Sequence, residues 1–274
     1  MIIWTDFELG NHRLSCPACG RKPNEKTLGV TLDHEGRGVA HCFRCNYVES
    51  YRPEHGALHR PGKPITRPVQ ATKHETLSEY WLELWSACKP LHGVALDYLK
   101  GRRCALPLED GDLRCHPALK HPSGYVGPAL VALITDIHTN EPISLHRTWV
   151  KTDGTKADVD PPRMLLAGHR KQGGVIRLWP DDSVGCRVAI CEGIETGLSL
   201  AHAYEPVWAC IDAGNLAQFP LLLGVTSLLI AADNDPAGIK AANECAARWA
   251  NAGHEVFVTQ QNQNDINDAL LEAA

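Results

Sequence analysis

The period of hydrophobic and polar positions changes several times along the chain, and each change marks a different kind of element. The stretch TLGVTLDHEGRGVAHCF (27–43) alternates about a polar turn at 33–38, the pattern of a small antiparallel ribbon. Residues 52–75 combine Pro53, Pro61, Pro64 and Pro68 with Arg, Lys and His and show no apolar period, which predicts a semi-extended linker. Helical spacing returns at 76–100, where Leu77, Trp81, Leu84, Trp85 and Cys88 share one side and Pro90 stops the helix. A second short helix is predicted at 95–100, ending at Gly101. ALVALITD and PISLHRTWV flank turn residues 138–142 as a hairpin, and VIRLW makes a third strand after GHRKQGG.

The last third has an α/β rhythm: RVAIC, a helix at 195–204, PVWACI, SLLIAAD, a helix to residue 251, EVFVT, and a closing helix from 267. Strands alternating with helices predict a mostly parallel sheet, whose ligands collect at the carboxyl ends of the strands. Two apolar runs, VAICEGIETG and LLIAADNDPAG, stop abruptly in Glu192 and Glu195 and in Asp233 and Asp235. Converging carboxylates repel one another, so this arrangement points to a divalent cation, read here as Mg2+. The helix after Asp235 has Pro236 first, a predicted apolar face of Ile239, Ala242, Ala246, Trp249 and Ala250, and Gly253 as stop. Asp235 is also an ordinary helix N-cap, the bland alternative to a ligand.

The formal charge of −5 argues against a polyanionic partner until it is partitioned: +3 over 1–75, 0 over 76–185 and −8 over 186–274. Basic contacts must therefore come from the first two thirds. Arg102, Arg103, Arg147, Lys151, Arg163, Arg170 and Lys171 are candidates to hold a nucleic-acid backbone, or else solvated surface. Arg147 shares a strand face with Leu145 and Trp149, so it is either an edge residue or held there for a negative partner. No stretch is long and apolar enough to span a membrane, and the amino terminus lacks the order of a signal peptide. A reducing, cytoplasmic setting is expected, in which eleven cysteines are not a disulfide framework.

Four of those cysteines stand in CPACG and HCFRCN. Cys16, Cys19, Cys42 and Cys45 form two C-x2-C knuckles that together complete a closed tetrahedral Zn2+ shell, leaving His34 and His41 unneeded. Around them Lys22, Lys26, Arg37, Arg44, Phe43 and Tyr47 can track phosphates and stack bases, unless the ribbon is only a structural knob.

CEGIETG and AADNDPAG resemble the two defining motifs of the Toprim fold, a Glu after one strand and a DxD after a later one. NDIND resembles the third acidic motif of the same family. The whole chain is similar to the small Toprim primases of phages, plasmids and related mobile elements. That resemblance implies a mixed α/β chain of a zinc ribbon (1–51), a linker (52–75), an α+β template-binding lobe (76–185) and a Rossmann-like Toprim domain (186–274). It implies that Glu192 is the acid near the reaction centre, and that Asp233 and Asp235 hold Mg2+ or Mn2+. Asp265 and Asp268 would serve a second metal or the nucleotide; Glu195 is either part of the site or helix-start charge. Apart from the resemblance, Lys240, one turn into the helix after the DxD, is either a further phosphate contact or an exposed helix lysine. Cys19 stands where bacterial replicative primases commonly place a His. The activity implied is primer synthesis from nucleoside triphosphates on single-stranded DNA by metal-dependent nucleotidyl transfer. The alternatives are a Toprim nuclease or a non-catalytic single-strand binder. No P-loop is present, so a helicase partner would be a separate protein.

Overall fold

A computed structural model of the protein describes residues 2–18, 26–42, 44–45, 47–53, 74–151 and 153–272, which fall into two compact units, 1–67 and 68–274. Most of the predicted linker, together with Cys19, Lys22 and Phe43, lies outside the described residues.

In the first unit, β1 (Gly10–Leu14), β2 (Leu28–Leu32), β3 (Gly38–Cys42) and β4 (Val48–Tyr51) form an antiparallel meander. The turn at 33–38 closes because the Asp33 carboxylate accepts the Glu35 and Arg37 amides, both at 2.9 Å. Alternation buries Leu28, Val30 and Leu32 against Ile2, Trp4 and Ala40. Gly38 is required here, since a Cβ would stand 2.2 Å from the Trp4 ring.

The second unit opens with α1 (Glu79–Ala87) and α2 (Gly93–Gly101), followed by β5 (Leu113–Lys120), β6 (Val126–Asp136), β7 (Pro142–Trp149), β8 (Arg163–Leu165) and β9 (Gly174–Arg177). The α/β part follows as β10 (Arg187–Cys191), α3 (Ile194–Leu200), β11 (Val207–Ala209), α4 (Ala213–Ala217), β12 (Ser227–Ala231), α5 (Pro236–Asn251), β13 (Glu255–Thr259) and α6 (Ile266–Glu272). The strands β13, β12, β10 and β11 are parallel, as the rhythm predicts. Periodicity did not reveal that the sheet continues. β9 pairs antiparallel with both β11 and β6, giving one nine-stranded mixed sheet in the order β13-β12-β10-β11-β9-β6-β7-β8, with β5 on β6. β5, β8 and α4 are also additions to the elements read from sequence; β5 carries Pro117 and a register break, and the other two are only 3 and 5 residues long.

Burial follows the pleat. Ala129, Val131 and Leu133 of β6 pack with Trp85, Leu145 and Trp149 on one face, while Leu130, Ala132 and Ile134 join Tyr98, Leu99 and Leu198 on the other. The buried face of α5 is Gly238, Ala241, Ala242, Cys245 and Trp249. Ala250, expected inside, is exposed, because the helix seats on the sheet about one residue round from the predicted face. His74 and Glu75, assigned to the linker, are already part of this unit: His74 N–H donates to the Gly168 carbonyl and Glu75 pairs with Arg170 at 3.1 Å. Among the described residues no helix is long and apolar enough to cross a membrane.

Candidate active site

The acids meet at the carboxyl ends of β10 and β12. A pocket of about 400 Å³ is lined by Glu192, Glu195, Asp233, Asp265 and Asp268, with Arg102, Lys156 and Arg163 on its rim. Glu192 follows β10 directly, and Asp233 ends the β12 segment one residue beyond Ala232. Asp265 starts α6, its Oδ1 accepting the Asp268 amide at 2.9 Å.

Two half-buried carboxylates in this pocket each leave one oxygen without a protein partner. Glu192 Oε1 and Asp233 Oδ1 are buried and have no hydrogen-bond partner. Burial, with the neighbouring charges of Asp233, Asp235 and Asp212, pushes the Glu192 carboxyl up to about 8. Burial, with Asp265 and Asp235, pushes Asp233 up to about 6. The first turn of α5 presses on the same spot: a Cβ on Gly238 would lie 2.6 Å from the Asp233 carbonyl and 2.9 Å from Glu192 Oε1. Ile211, on the pocket wall, has φ 77°, a strained value for a β-branched residue. Orphaned oxygens, raised pKa values and a glycine-lined approach together fit a hard divalent cation, which takes oxygen ligands and replaces the missing hydrogen bonds.

Glu195 behaves differently from its neighbours, and helix-start charge does not describe it. It is buried, and its Oε1 accepts from Arg163 Nη2 at 2.6 Å and Tyr98 Oη at 2.7 Å, with Lys156 Nζ at 3.8 Å. Burial alone would raise its carboxyl, but Arg163, Lys156 and the Tyr98 hydroxyl overcome it and hold it down at about 2. Glu195 thus stays ionised and fixes two cations at the rim. Sequence reasoning missed Lys156 altogether and left Arg163 among general basic residues, because neither lies in a motif or on a periodic face.

The remaining candidates separate. Asp235 is exposed and caps α5, its Oδ1 accepting the Gly238 amide at 2.8 Å. Its charge still reaches Glu192. Lys240 faces solvent and pairs with Glu244 at 3.7 Å, away from the acids. Arg102 points at Asp268, 3.8 Å away, so it belongs to the acid pocket. Arg103 is exposed and offers its carbonyl to His202. Arg170 binds Asp136 at 2.9 Å and Lys171 binds Asp212 at 2.6 Å, both lining a neighbouring 520 Å³ cleft that lacks the converging acids. Arg147 lies on β7, between β6 and β8, so it is not an edge residue.

In the first unit, the thiols of Cys16, Cys42 and Cys45 gather within 4.8 Å of one another, with Cys16 and Cys45 3.6 Å apart. Two sulfurs on one tetrahedral Zn2+ at about 2.3 Å are separated by about 3.8 Å, so the donor set and its spacing fit. Cys19, the predicted fourth ligand, lies outside the described residues. Arg37 is engaged by Asp33 and Glu35, and the Tyr47 hydroxyl donates to Glu49, so neither is a loose surface group.

Residues 187–274 match the family model described as Toprim domain, and residues 75–178 match one described as a domain of unknown function (DUF7146). The chain therefore ends in a Toprim domain preceded by a middle domain and a cysteine cluster. No curated protein matches it. Among solved structures it is similar to the primase fragment of the bacteriophage T7 primase-helicase protein, at 17% identity over 96% of this chain and 95% of that one, TM-score 0.44. It is also similar to a DNA primase domain from Pseudomonas aeruginosa, at 16% over 71% and 74%, TM-score 0.46. A third likeness is to the Aquifex aeolicus primase (zinc-binding and RNA polymerase domains), at 13% over 96% and 76%, TM-score 0.43.

Proposed function

We propose that this protein is a DNA primase that joins nucleoside triphosphates into short primers on single-stranded DNA at the Glu192–Asp233 pocket. The observation that carries this reading is the pair of buried, partnerless carboxylate oxygens on Glu192 and Asp233 facing a rim of three cations. These two carboxylates, with Asp235 and with Asp265 or Asp268 completing the acidic set, would hold Mg2+ or Mn2+, which would activate the attacking hydroxyl and neutralise the leaving pyrophosphate. The residues of the chain do the rest. Lys156, Arg163 and Arg102 face the same space and offset a triphosphate's charge, and Glu195 keeps Arg163 in place by a 2.6 Å ion pair. Ribbon and middle domain, the parts without net negative charge, supply template affinity.

A nuclease would use the same acids, but its phosphodiester substrate carries less negative charge for three cations to offset than a triphosphate does. The two are separated by incubating the protein with single-stranded DNA, labelled nucleoside triphosphates and Mg2+ or Mn2+. Short products made without a primer are expected; shortening of the template instead would establish the nuclease.

Asp235 has two possible duties, and Asn distinguishes them because it caps a helix about as well as Asp. We expect Asp235→Asn to melt at the wild-type temperature while needing more Mg2+ for synthesis. A wild-type Mg2+ titration would leave Asp235 with the capping role alone. For the first unit, one Zn2+ per chain is expected by metal analysis of protein purified without chelator. Full zinc occupancy in the double variant Cys42→Ser, Cys45→Ser would reject the thiolate assignment.

A further inference from the structure

On the sheet face carrying Ala129, Val131 and Leu133 lies a second charged feature that the acid pocket does not use. Arg147 is only 6% exposed, yet among the described residues no carboxylate pairs with it. Its Nη2 donates to the Leu165 carbonyl at 3.1 Å, and its Nε is buried with no partner. The guanidinium lies between two indoles, 5.1 Å from the Trp81 ring and 5.5 Å from that of Trp149. Arginine cannot shed its proton in a protein, and an unpaired buried charge costs several kcal/mol, on the order of that for other buried ions. The Leu165 carbonyl and the two ring faces offset part of that cost, and an anion would offset the rest.

The surroundings show what would. Arg147 lines a pocket of about 380 Å³ together with Tyr80, Trp81, Lys120, His121 and Met164, and no acidic residue contributes to its wall. Lys120 is exposed, and Tyr80 is 65% exposed, a large aromatic surface left open beside two cations. Alternation along β7 and β8 separates this pocket from the acids: Arg147 and Met164 face it, whereas Arg163 points through the other face to Glu195.

We infer that the Arg147 pocket is a binding site for a nucleotide phosphate, separate from the acid pocket, with Arg147 and Lys120 holding the phosphate and Tyr80 and Trp81 stacking the attached base. Arg147 presents a fixed, desolvated fork of donors, Lys120 adds a mobile charge, and aromatic faces accept any base. The phosphate is supplied either by a strand of DNA or by a free nucleotide, and the two sources share this chemistry.

The test uses the full zinc-loaded chain in buffer without added Mg2+ or Mn2+, so that a metal-dependent acid site does not contribute. Two probes are titrated: labelled dTMP by equilibrium dialysis, and a short labelled oligo(dT) by fluorescence anisotropy. We expect Lys120→Glu to weaken the bound probe by about tenfold or more, Tyr80→Ala to weaken it less, and Asp233→Asn to leave it unchanged. Arg147→Met should weaken the bound probe at least as much as Lys120→Glu while melting no lower than wild type, since it removes a buried charge without a carboxylate partner. Should that variant fail to fold, Lys120→Glu and Tyr80→Ala decide alone. Effects on dTMP identify a free-nucleotide site, and effects on oligo(dT) alone identify a strand site. The inference is overturned if wild-type protein binds neither probe, or if Lys120→Glu binds both as wild type does. Failure of the acid-site reading would appear separately, as absent primer synthesis.

Discussion

Asp233→Asn is expected to reduce primer synthesis by at least about a hundredfold, since loss of a charged metal ligand removes several kcal/mol of transition-state stabilisation at 1.36 kcal/mol per tenfold. The same change should not weaken the metal-free fold. Asp233 and Glu192 have carboxyls raised by burial and neighbouring acidic charge, to about 6 and about 8, so between their ordinary range and those values the folded state binds more protons than the unfolded one. Metal-free stability therefore falls as pH rises through about 6 and on toward about 8, and is free of this penalty below about 4. Asn at 233 removes one source of the repulsion and flattens the fall. Mg2+ competes with the protons, so its stabilising effect should be larger near pH 8 than near pH 5.5, roughly the two sides of these pKa values. Melting curves with and without Mg2+ across that range check all three points, and a pH-independent Mg2+ effect would remove Glu192 and Asp233 from the metal site.

Glu195→Gln is expected to act in the opposite way, as a loss of stability as well as activity. The carboxylate is buried against Arg163, Lys156 and Tyr98. Breaking such a pair costs about 3–5 kcal/mol when both partners are buried; Arg163 and Lys156 keep some access to water, so about 2–3 kcal/mol is expected. For a unit of this size that is a fall in melting temperature of about 4–12 °C. Because the Glu195 carboxyl is held down at about 2, its contribution is fully present above the ordinary carboxylate range and is lost as pH falls toward about 2. The gap between wild type and variant should therefore close in acid. A constant gap down to that pH would mean that Gln fails through packing rather than charge. In synthesis, the variant should show a raised KM for nucleotide, since Arg163 is no longer fixed at the rim.

The sequence by itself determined the features written in neighbouring residues. Alternation about a polar turn made β2 and β3, apolar runs cut off by acids placed Glu192 and Asp233 at the ends of β10 and β12, and Pro236 after a capping Asp opened α5. Each depends on local backbone geometry, and period and capping chemistry report that geometry directly. The Toprim motifs were legible for the same reason: strand, acid and helix start lie within a few residues of one another.

Tertiary structure alone decided which distant charges meet. Arg163 and Lys156 reach Glu195 from 32 and 39 residues away, and Arg170 and Lys171 spend their charge on Asp136 and Asp212 rather than on a common basic surface. Nor does any local period tell that β9 joins β11 to β6, fusing the middle strands and the parallel strands into one sheet, or that β7 is interior, leaving Arg147 buried without a carboxylate among the described residues. A side chain's periodicity states which face it occupies. Its partners depend on the order of strands across the sheet, which long-range burial selects.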